Sequence, residues 1–345
     1  MSAEKILILG PSWVGDMVLA HSLFQTLKTQ RPNAIIDVAA PAWTLPLIAR
    51  MPEINRGIAL PFKHGQLALL DRVKFGLSLK EQGYTQSITL VNSLKSAILP
   101  LAAGIPQRTG FLGECRYGLL NDIRPLDKAK LPRTVDRFVA LSADKNQAPM
   151  ENNASIPNPR LIADHNNALQ ALSKLGQNAP TTKVLGLCPG AEYGEAKRWP
   201  AEYYAEVANA ALSHGWQVWL FGSDKDLPVT QEINQLTSNR CLDLGGKTKL
   251  GDAIDLMSLC DTVISNDSGL MHVAAALDKK VIAIYGSSDP HHTPPMHPEA
   301  VVAYLGLSCS PCFKRVCPLT GPDAHLACLK RLTPPSIIQD IKFLA

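Results

Sequence analysis

From Val263 the chain reads Val-Ile-Ser-Asn-Asp-Ser-Gly-Leu-Met-His-Val-Ala-Ala-Ala-Leu, ending at Leu277. An apolar run meets a tight polar turn, and a helical pattern follows at once. A strand that feeds straight into a helix belongs to a β-α-β unit, for which a right-handed parallel crossover is expected. Asp267 and Ser268 suit the N-cap, and Gly269 lets a ligand approach the backbone. The helix N-terminus aims unpaired N–H groups and the positive end of its dipole at the turn, an arrangement that suits a phosphate. His272 follows Ser268 by about one helical turn and can face the same ligand. The spacing alone is equally that of an ordinary capped β-turn-α junction.

The same alternation runs through the chain. Apolar runs at 5–9, 35–39 and 87–91 read as strands. Between Val14 and Lys28, Met17, Ala20, Phe24 and Leu27 recur at helical spacing, and a second helical stretch covers about 95–103. Loop signals gather at Pro106, Gly110 and Gly113. Residues 145–182 change character. Asn152, Asn153, Pro157, Asn158 and Pro159 mark a linker zone, followed by a polar helical stretch over 163–174. Strands are then expected at 184–188, 217–221, 240–244, 262–265 and 281–285, with helices near 201–213, 251–259 and 270–277. Pro334 and Pro335 introduce a last helix through Leu344. Two α/β halves with a linker imply two doubly wound sheets facing a cleft. The expected boundaries are 1–175, 176–330 and a terminal helix over 331–345.

Composition narrows the function. With 46% hydrophobic and 19% charged residues, 345 residues suffice for two ordinary globular domains. A net charge of +4 and 6% aromatic residues give no footprint for nucleic acid. The mild positive charge fits an anionic substrate or a brief visit to an anionic membrane. No apolar run approaches the roughly 18 residues of a membrane span, and no signal-peptide cleavage site follows the first apolar run. A cytoplasmic protein is expected, its eight cysteines reduced unless they hold metal.

Three stretches carry a resemblance: Asn266–His272 followed by Ala274-Ala275-Ala276-Leu277, Gly10–Met17, and Cys188–Pro200. Together they resemble the bacterial lipopolysaccharide heptosyltransferases, and more closely the enzymes that add a second heptose than those that add the first. The likeness runs from near residue 5 to near residue 300. It weakens around 145–180 and in the cysteine-rich tail. The resemblance implies the GT-B fold, with two Rossmann-like domains: an N-terminal one for the acceptor and a C-terminal one for the donor. It implies that the final helix packs back on the first domain. It also implies an inverting, metal-independent transfer of L-glycero-D-manno-heptose from ADP-heptose to the first heptose of the lipopolysaccharide inner core, with no cofactor. That the nucleotide is ADP rather than UDP or GDP comes from the resemblance alone.

The residues support that chemistry in different degrees. Gly10 and Gly15 have phosphate-loop spacing, but Asp16 stands where the lysine belongs, and a carboxylate there repels a triphosphate. An acid at the carboxyl end of a first strand suits a general base that takes the proton of an acceptor hydroxyl. The resemblance puts Asp16 in that role; the alternative is a helix cap. The departing ADP needs fixed positive charge and N–H donors. Lys197 and the turn at Asp267-Ser268-Gly269 can supply them, while Pro189-Gly190-Ala191 can approach the nucleotide closely. A solvated Lys197-Arg198 pair and a core His272 are the plainer readings of those residues. Glu192, Gly222, Ser223 and Leu250 complete the expected donor set.

For the anionic acceptor, Lys95, Arg108, Arg116 and Arg137 are candidates, with Lys95 and Arg116 favoured by the family pattern. The stretch Lys63–Lys80 reads either as a basic amphipathic helix resting on lipid headgroups or as an ordinary half-buried helix. Cys309, Cys312, Cys317 and Cys328 invite a structural tetrahedral metal, free thiols, or disulfide or redox use. Catalysis by the route above needs no metal. Rival functions are a nucleotide-sugar epimerase of the same fold and a nucleotide-binding module without turnover.

Overall fold

The computed structural model describes residues 4–62, 65–144 and 156–343. Asn152 and Asn153 of the linker zone, Lys63 and Leu344 lie outside them. The chain divides into two compact units, Met1–Ile162 and Ala163–Ala345.

Each unit is built on one parallel sheet with six strands among the described residues. The first contains β1 (Lys5–Leu9), β2 (Ile35–Pro41), β3 (Arg56–Leu60), β4 (Gln86–Thr89), β5 (Gln107–Phe111) and β6 (Asp122–Arg124) in the order β3-β2-β1-β4-β5-β6. The second contains β7 (Val184–Cys188), β8 (Gln217–Leu220), β9 (Leu242–Asp243), β10 (Thr262–Asn266), β11 (Lys280–Ile284) and β12 (Val301–Ala303) in the order β12-β11-β10-β7-β8-β9. Counted within its own unit, each sheet has the order 3-2-1-4-5-6 of dinucleotide-binding sheets. Helices cover both faces of such a sheet, so its central strands must be apolar on both sides. Ile6, Leu7, Ile8, Val263 and Ile264 are accordingly all fully buried.

Four strands escape the sequence reading. β3 and β12 are edge strands whose partial exposure removes the apolar signal. β5 passes through Gly110, which reads as a loop signal. A Cβ there would lie 3.0 Å from Leu120 and 3.2 Å from the Thr89 carbonyl, so glycine answers to close approach rather than to a turn. β6 is only three residues long. The helix Leu227–Leu236 is likewise unanticipated.

One expected boundary shifts. The helix His165–Lys174 belongs to the second unit, so the division falls at 162/163 rather than 175/176. Asn167 donates to Asp255 at 2.8 Å, and the Asp164 N–H does so at 2.9 Å, tying the helix to Leu250–Met257. The last helix, Pro334–Ile341, packs on Ala201–Ser213 of its own unit. Ile337 and Ile341 are buried in the core that holds Trp199, Tyr204 and Trp216. Phe343 stacks on His214 with centroids 4.4 Å apart. An apolar stripe packs against the nearest uncovered apolar surface, and the second unit supplies it.

The Lys63–Lys80 stretch resolves into a helix at Leu69–Ser78, and its inner face packs on Ile98–Ala102 through Gly76. Arg72 is buried over the Phe62 ring and donates to the Leu67 carbonyl at 2.7 Å. Leu67, Leu69, Leu70 and Leu77 remain exposed. No helix among the described residues is long and apolar enough to cross a membrane.

Candidate active site

In open α/β sheets ligands bind beyond the carboxyl ends of the strands, where the strand order reverses. In the first unit that point lies between β1 and β4. The Leu90 N–H donates to the Leu9 carbonyl at 3.1 Å, so the strands stay paired to their ends. Gly10 follows β1, where a Cβ would meet Met17 at 2.6 Å; glycine lets the helix Val14–Gln30 start close to the sheet. Asp16 sits in the first turn of that helix, half-buried. The N-cap is Trp13, and no side chain caps it. The positive end of the helix dipole favours negative charge in this turn. Trp13 and Trp43 are both about half exposed, and the Trp43 indole donates to the Ser12 carbonyl at 3.2 Å. Two indoles therefore flank the Asp16 loop, and Trp43 has no role in the sequence reading.

The expected acceptor cations are mostly engaged by their own backbone. Lys95 donates to the Gly65 carbonyl at 2.8 Å and keeps two further donors. Arg137 donates to the Leu131 and Pro132 carbonyls, and Arg108 to Leu119 and Ile105. Arg116 departs furthest from expectation. It is fully buried and donates to the carbonyls of Val91 (2.7 Å) and Phe111 and to the Asn92 side chain (3.1 Å). Burial also lowers its pKa. It braces the loop after β4.

In the second unit the reversal lies between β7 and β10, and most of the expected donor set gathers there. Lys197 Nζ lies 2.5 Å from Asp267 Oδ2, across a sequence gap no spacing rule reveals. Ser268 is the N-cap of the helix Gly269–Ala276, in extended conformation with no side-chain cap bond, so the N–H groups of the first turn stay open to an anion. Its hydroxyl lies 3.2 Å from that of Ser265. His272 is buried, and its Nδ1 has no hydrogen-bond partner among the described residues. Burial lowers its pKa to about 4, and Lys197 adds to this against the pull of Asp267. The imidazole is therefore neutral near neutral pH.

Asn266 closes β10 with no exposed surface. Its Nδ2 donates to the Pro189 carbonyl at 2.7 Å, and its Oδ1 accepts from the Trp199 N–H at 3.0 Å and the Tyr204 hydroxyl at 3.1 Å. This amide spans the reversal point and joins the Pro189-Gly190 loop to the segment that carries Lys197. The sequence reading gives it no role; a lone amide closing an apolar strand is the signal that was there.

The remaining donor candidates line adjoining loops. A Cβ on Gly190 would overlap the Asp226 carboxylate, and one on Gly222 would lie 2.8 Å from Asp226 Cβ. Ser223 donates its hydroxyl to that same carboxylate at 2.7 Å, capping its own turn. Ala191 is buried and its carbonyl accepts from Arg198 at 3.1 Å. Glu192 is exposed and paired with Lys225 at 2.5 Å. The Gly246 N–H donates to the Gly222 carbonyl at 3.1 Å, bringing the loop before Leu250 alongside; Leu250 opens its helix partly exposed.

The four tail cysteines are unbridged, and Cys309 is exposed. No group of three or more His, Cys, Asp or Glu among the described residues has the geometry to hold a metal ion, which corrects the structural-metal expectation.

The model of glycosyltransferase family 9 (heptosyltransferase) matches residues 72–322. Lipopolysaccharide heptosyltransferase 2 of Salmonella typhimurium is 47% identical over 311 residues, covering 87% of this chain and 88% of the relative. The Escherichia coli protein of the same name is 42% identical over 350 residues, covering 99% and 98%. The solved structure of Escherichia coli ADP-heptose LPS heptosyltransferase II superposes with a TM-score of 0.85 at 41% identity, covering 98% of this chain and 97% of that one.

Proposed function

The chain belongs to glycosyltransferase family 9, the heptosyltransferases, and from that premise we propose how its residues divide the labour of heptose transfer to the lipopolysaccharide inner core. Its fold is GT-B. The donor is ADP-L-glycero-D-manno-heptose and the acceptor is the first heptose of the inner core. Asp16 takes the proton of the acceptor hydroxyl as that oxygen attacks the anomeric carbon. The bond from the anomeric carbon to the β-phosphate oxygen breaks, ADP leaves with the electron pair, and the configuration inverts. Lys197 and the open N–H groups at Gly269 meet the charge that grows on the diphosphate. Asp267, with one oxygen on Lys197, offers the other to a sugar hydroxyl. His272 stays neutral beside them, and Pro189, Gly190, Ala191, Glu192, Gly222, Ser223 and Leu250 line the nucleotide side. No cofactor enters this route.

The observation that carries the reading is the Lys197–Asp267 pair beside an uncapped helix N-terminus at the point where the strand order reverses. Lys95 and the indoles of Trp13 and Trp43 are the acceptor-side candidates. A lipid-linked acceptor takes the enzyme to the cytoplasmic face of the inner membrane; exposed Leu67, Leu70 and Leu77, with Lys74 between them, support peripheral contact there. The test is incubation with ADP-heptose and a panel of truncated core acceptors, read by mass spectrometry. The expected product gains one heptose on acceptors that already carry one. Free heptose, an epimerised donor or no turnover would defeat the reading.

A further inference from the structure

The cysteine-rich tail has no part in the mechanism above, yet the structure stitches it to the donor loops. The Phe313 N–H donates to the Ser287 carbonyl at 2.7 Å, and the Phe313 carbonyl accepts from the Tyr193 hydroxyl at 2.7 Å. The Ser310 hydroxyl donates to the Gly286 carbonyl at 2.5 Å. The Arg315 carbonyl accepts from the Ala196 N–H at 3.1 Å, one residue from Lys197. At Gly194 the two segments pass so closely that any Cβ would overlap the Arg315 carbonyl, and φ there is +156°. The backbone of residue 315 is thus held against residues 194–197.

Its side chain is placed as well. The Arg315 guanidinium lies 5.2 Å from the centre of the Tyr193 ring, and Lys197 Nζ lies 5.2 Å from the same centre. The two cations differ in what holds them. Lys197 shares its charge with Asp267, so a diphosphate calls for a further cation beside it. Arg315 is exposed and makes no ion pair among the described residues. A cation–π contact orients a guanidinium without neutralising it. We propose that Arg315 binds the diphosphate of the nucleotide donor, and that the cysteine-rich segment serves to deliver it there. The planar fork suits two phosphate oxygens at once. The proposal rests on the donor assignment of the second unit. Behind Arg315 the tail is compact: Cys317 Sγ accepts from the Leu326 N–H at 3.4 Å. Burial and the three neighbouring thiols push the Cys328 thiol up to about 11.

The experiment measures ADP affinity by calorimetry, and the KM for donor and for phosphorylated and dephosphorylated acceptors, on wild type, Arg315→Ala and Arg315→Lys. Losing a charged hydrogen-bonding partner should weaken ADP binding about tenfold or more. Donor KM should rise in step, acceptor KM should hold, and Arg315→Lys should recover part of the loss. Unchanged ADP affinity in a variant that melts like wild type overturns the proposal. So does a rise confined to the KM of the phosphorylated acceptor, which would assign the cation to the other substrate. Should Arg315→Ala melt early, Arg315→Lys with wild-type melting decides: ADP affinity between wild type and alanine supports the role, and affinity equal to wild type on both counts denies it. A wild type that does not bind ADP would strike the donor assignment itself, and the control reads that separately.

Discussion

At Asn266 a single side chain fixes the donor loops. Its amide donates to Pro189 and accepts from Trp199 and Tyr204. Aspartate has the same shape but sets a carboxylate against the Pro189 carbonyl, leaving a buried repulsion. Asn266→Asp should cost roughly 2–3 kcal/mol of stability and weaken ADP binding by about tenfold, with acceptor KM unchanged. Calorimetry and steady-state kinetics with each substrate varied check this; parallel loss of both KM values would reduce Asn266 to a general core residue. His272 makes a pH prediction. Its folded pKa of about 4 lies below the unfolded value near 6.5, so below 6.5 the unfolded chain binds the extra proton. Stability from this group is intact above pH 6.5 and falls by about 3 kcal/mol as the pH drops towards 4. His272→Gln should flatten that part of the profile in denaturant titrations at pH 7, 5.5 and 4.5. Asp16, Lys197 and Asp267 stand out as candidates in sequence because a charge at the end of a buried strand, or beside a helix start, is conspicuous there. The bracing bonds of Arg116 were not legible, because an arginine that braces carbonyls and one that grips a phosphate look alike before folding.

Among elements, the terminal helix Pro334–Ile341 shows what its packing contributes. Ile337 and Ile341 are nearly fully buried against Ala201–Ser213. Each such side chain contributes about 1.5–3 kcal/mol. Truncation after Leu332 should therefore cost the second unit roughly 3–6 kcal/mol and weaken its ADP binding. Urea melts with and without ADP read both, and a helix dispensable to the second unit would leave them unchanged. The central strands β1, β7 and β10 were recovered closely because burial on both faces demands an unbroken apolar run. The edge strands β3 and β12 were not, since a half-exposed strand has no such demand. Gly110 shows the limit of local signals: the same glycine that marks a turn elsewhere here lets Leu120 and the Thr89 carbonyl press on a strand.

For the whole molecule, the proposed base and the proposed nucleotide cradle belong to different units, Met1–Ile162 and Ala163–Ala345. Substitutions should therefore separate binding from chemistry. Asp16→Ala should leave ADP affinity within about twofold while slowing transfer by about 10²–10⁴. Lys197→Ala should weaken ADP binding by about tenfold or more. Near-normal turnover in Asp16→Ala would remove the base. The alternation of apolar runs and helix faces already determined two wound α/β units, and strand-turn-helix junctions marked where each would bind. Those are local properties: periodicity and capping depend on residues within a turn or two of each other. Tertiary structure alone decided that Lys197 meets Asp267, that Asn266 joins loops 77 and 67 positions away, and that a cysteine-rich tail brings Arg315 to Tyr193. Such pairings follow from which apolar faces bury one another, a long-range choice that short-range pattern does not encode.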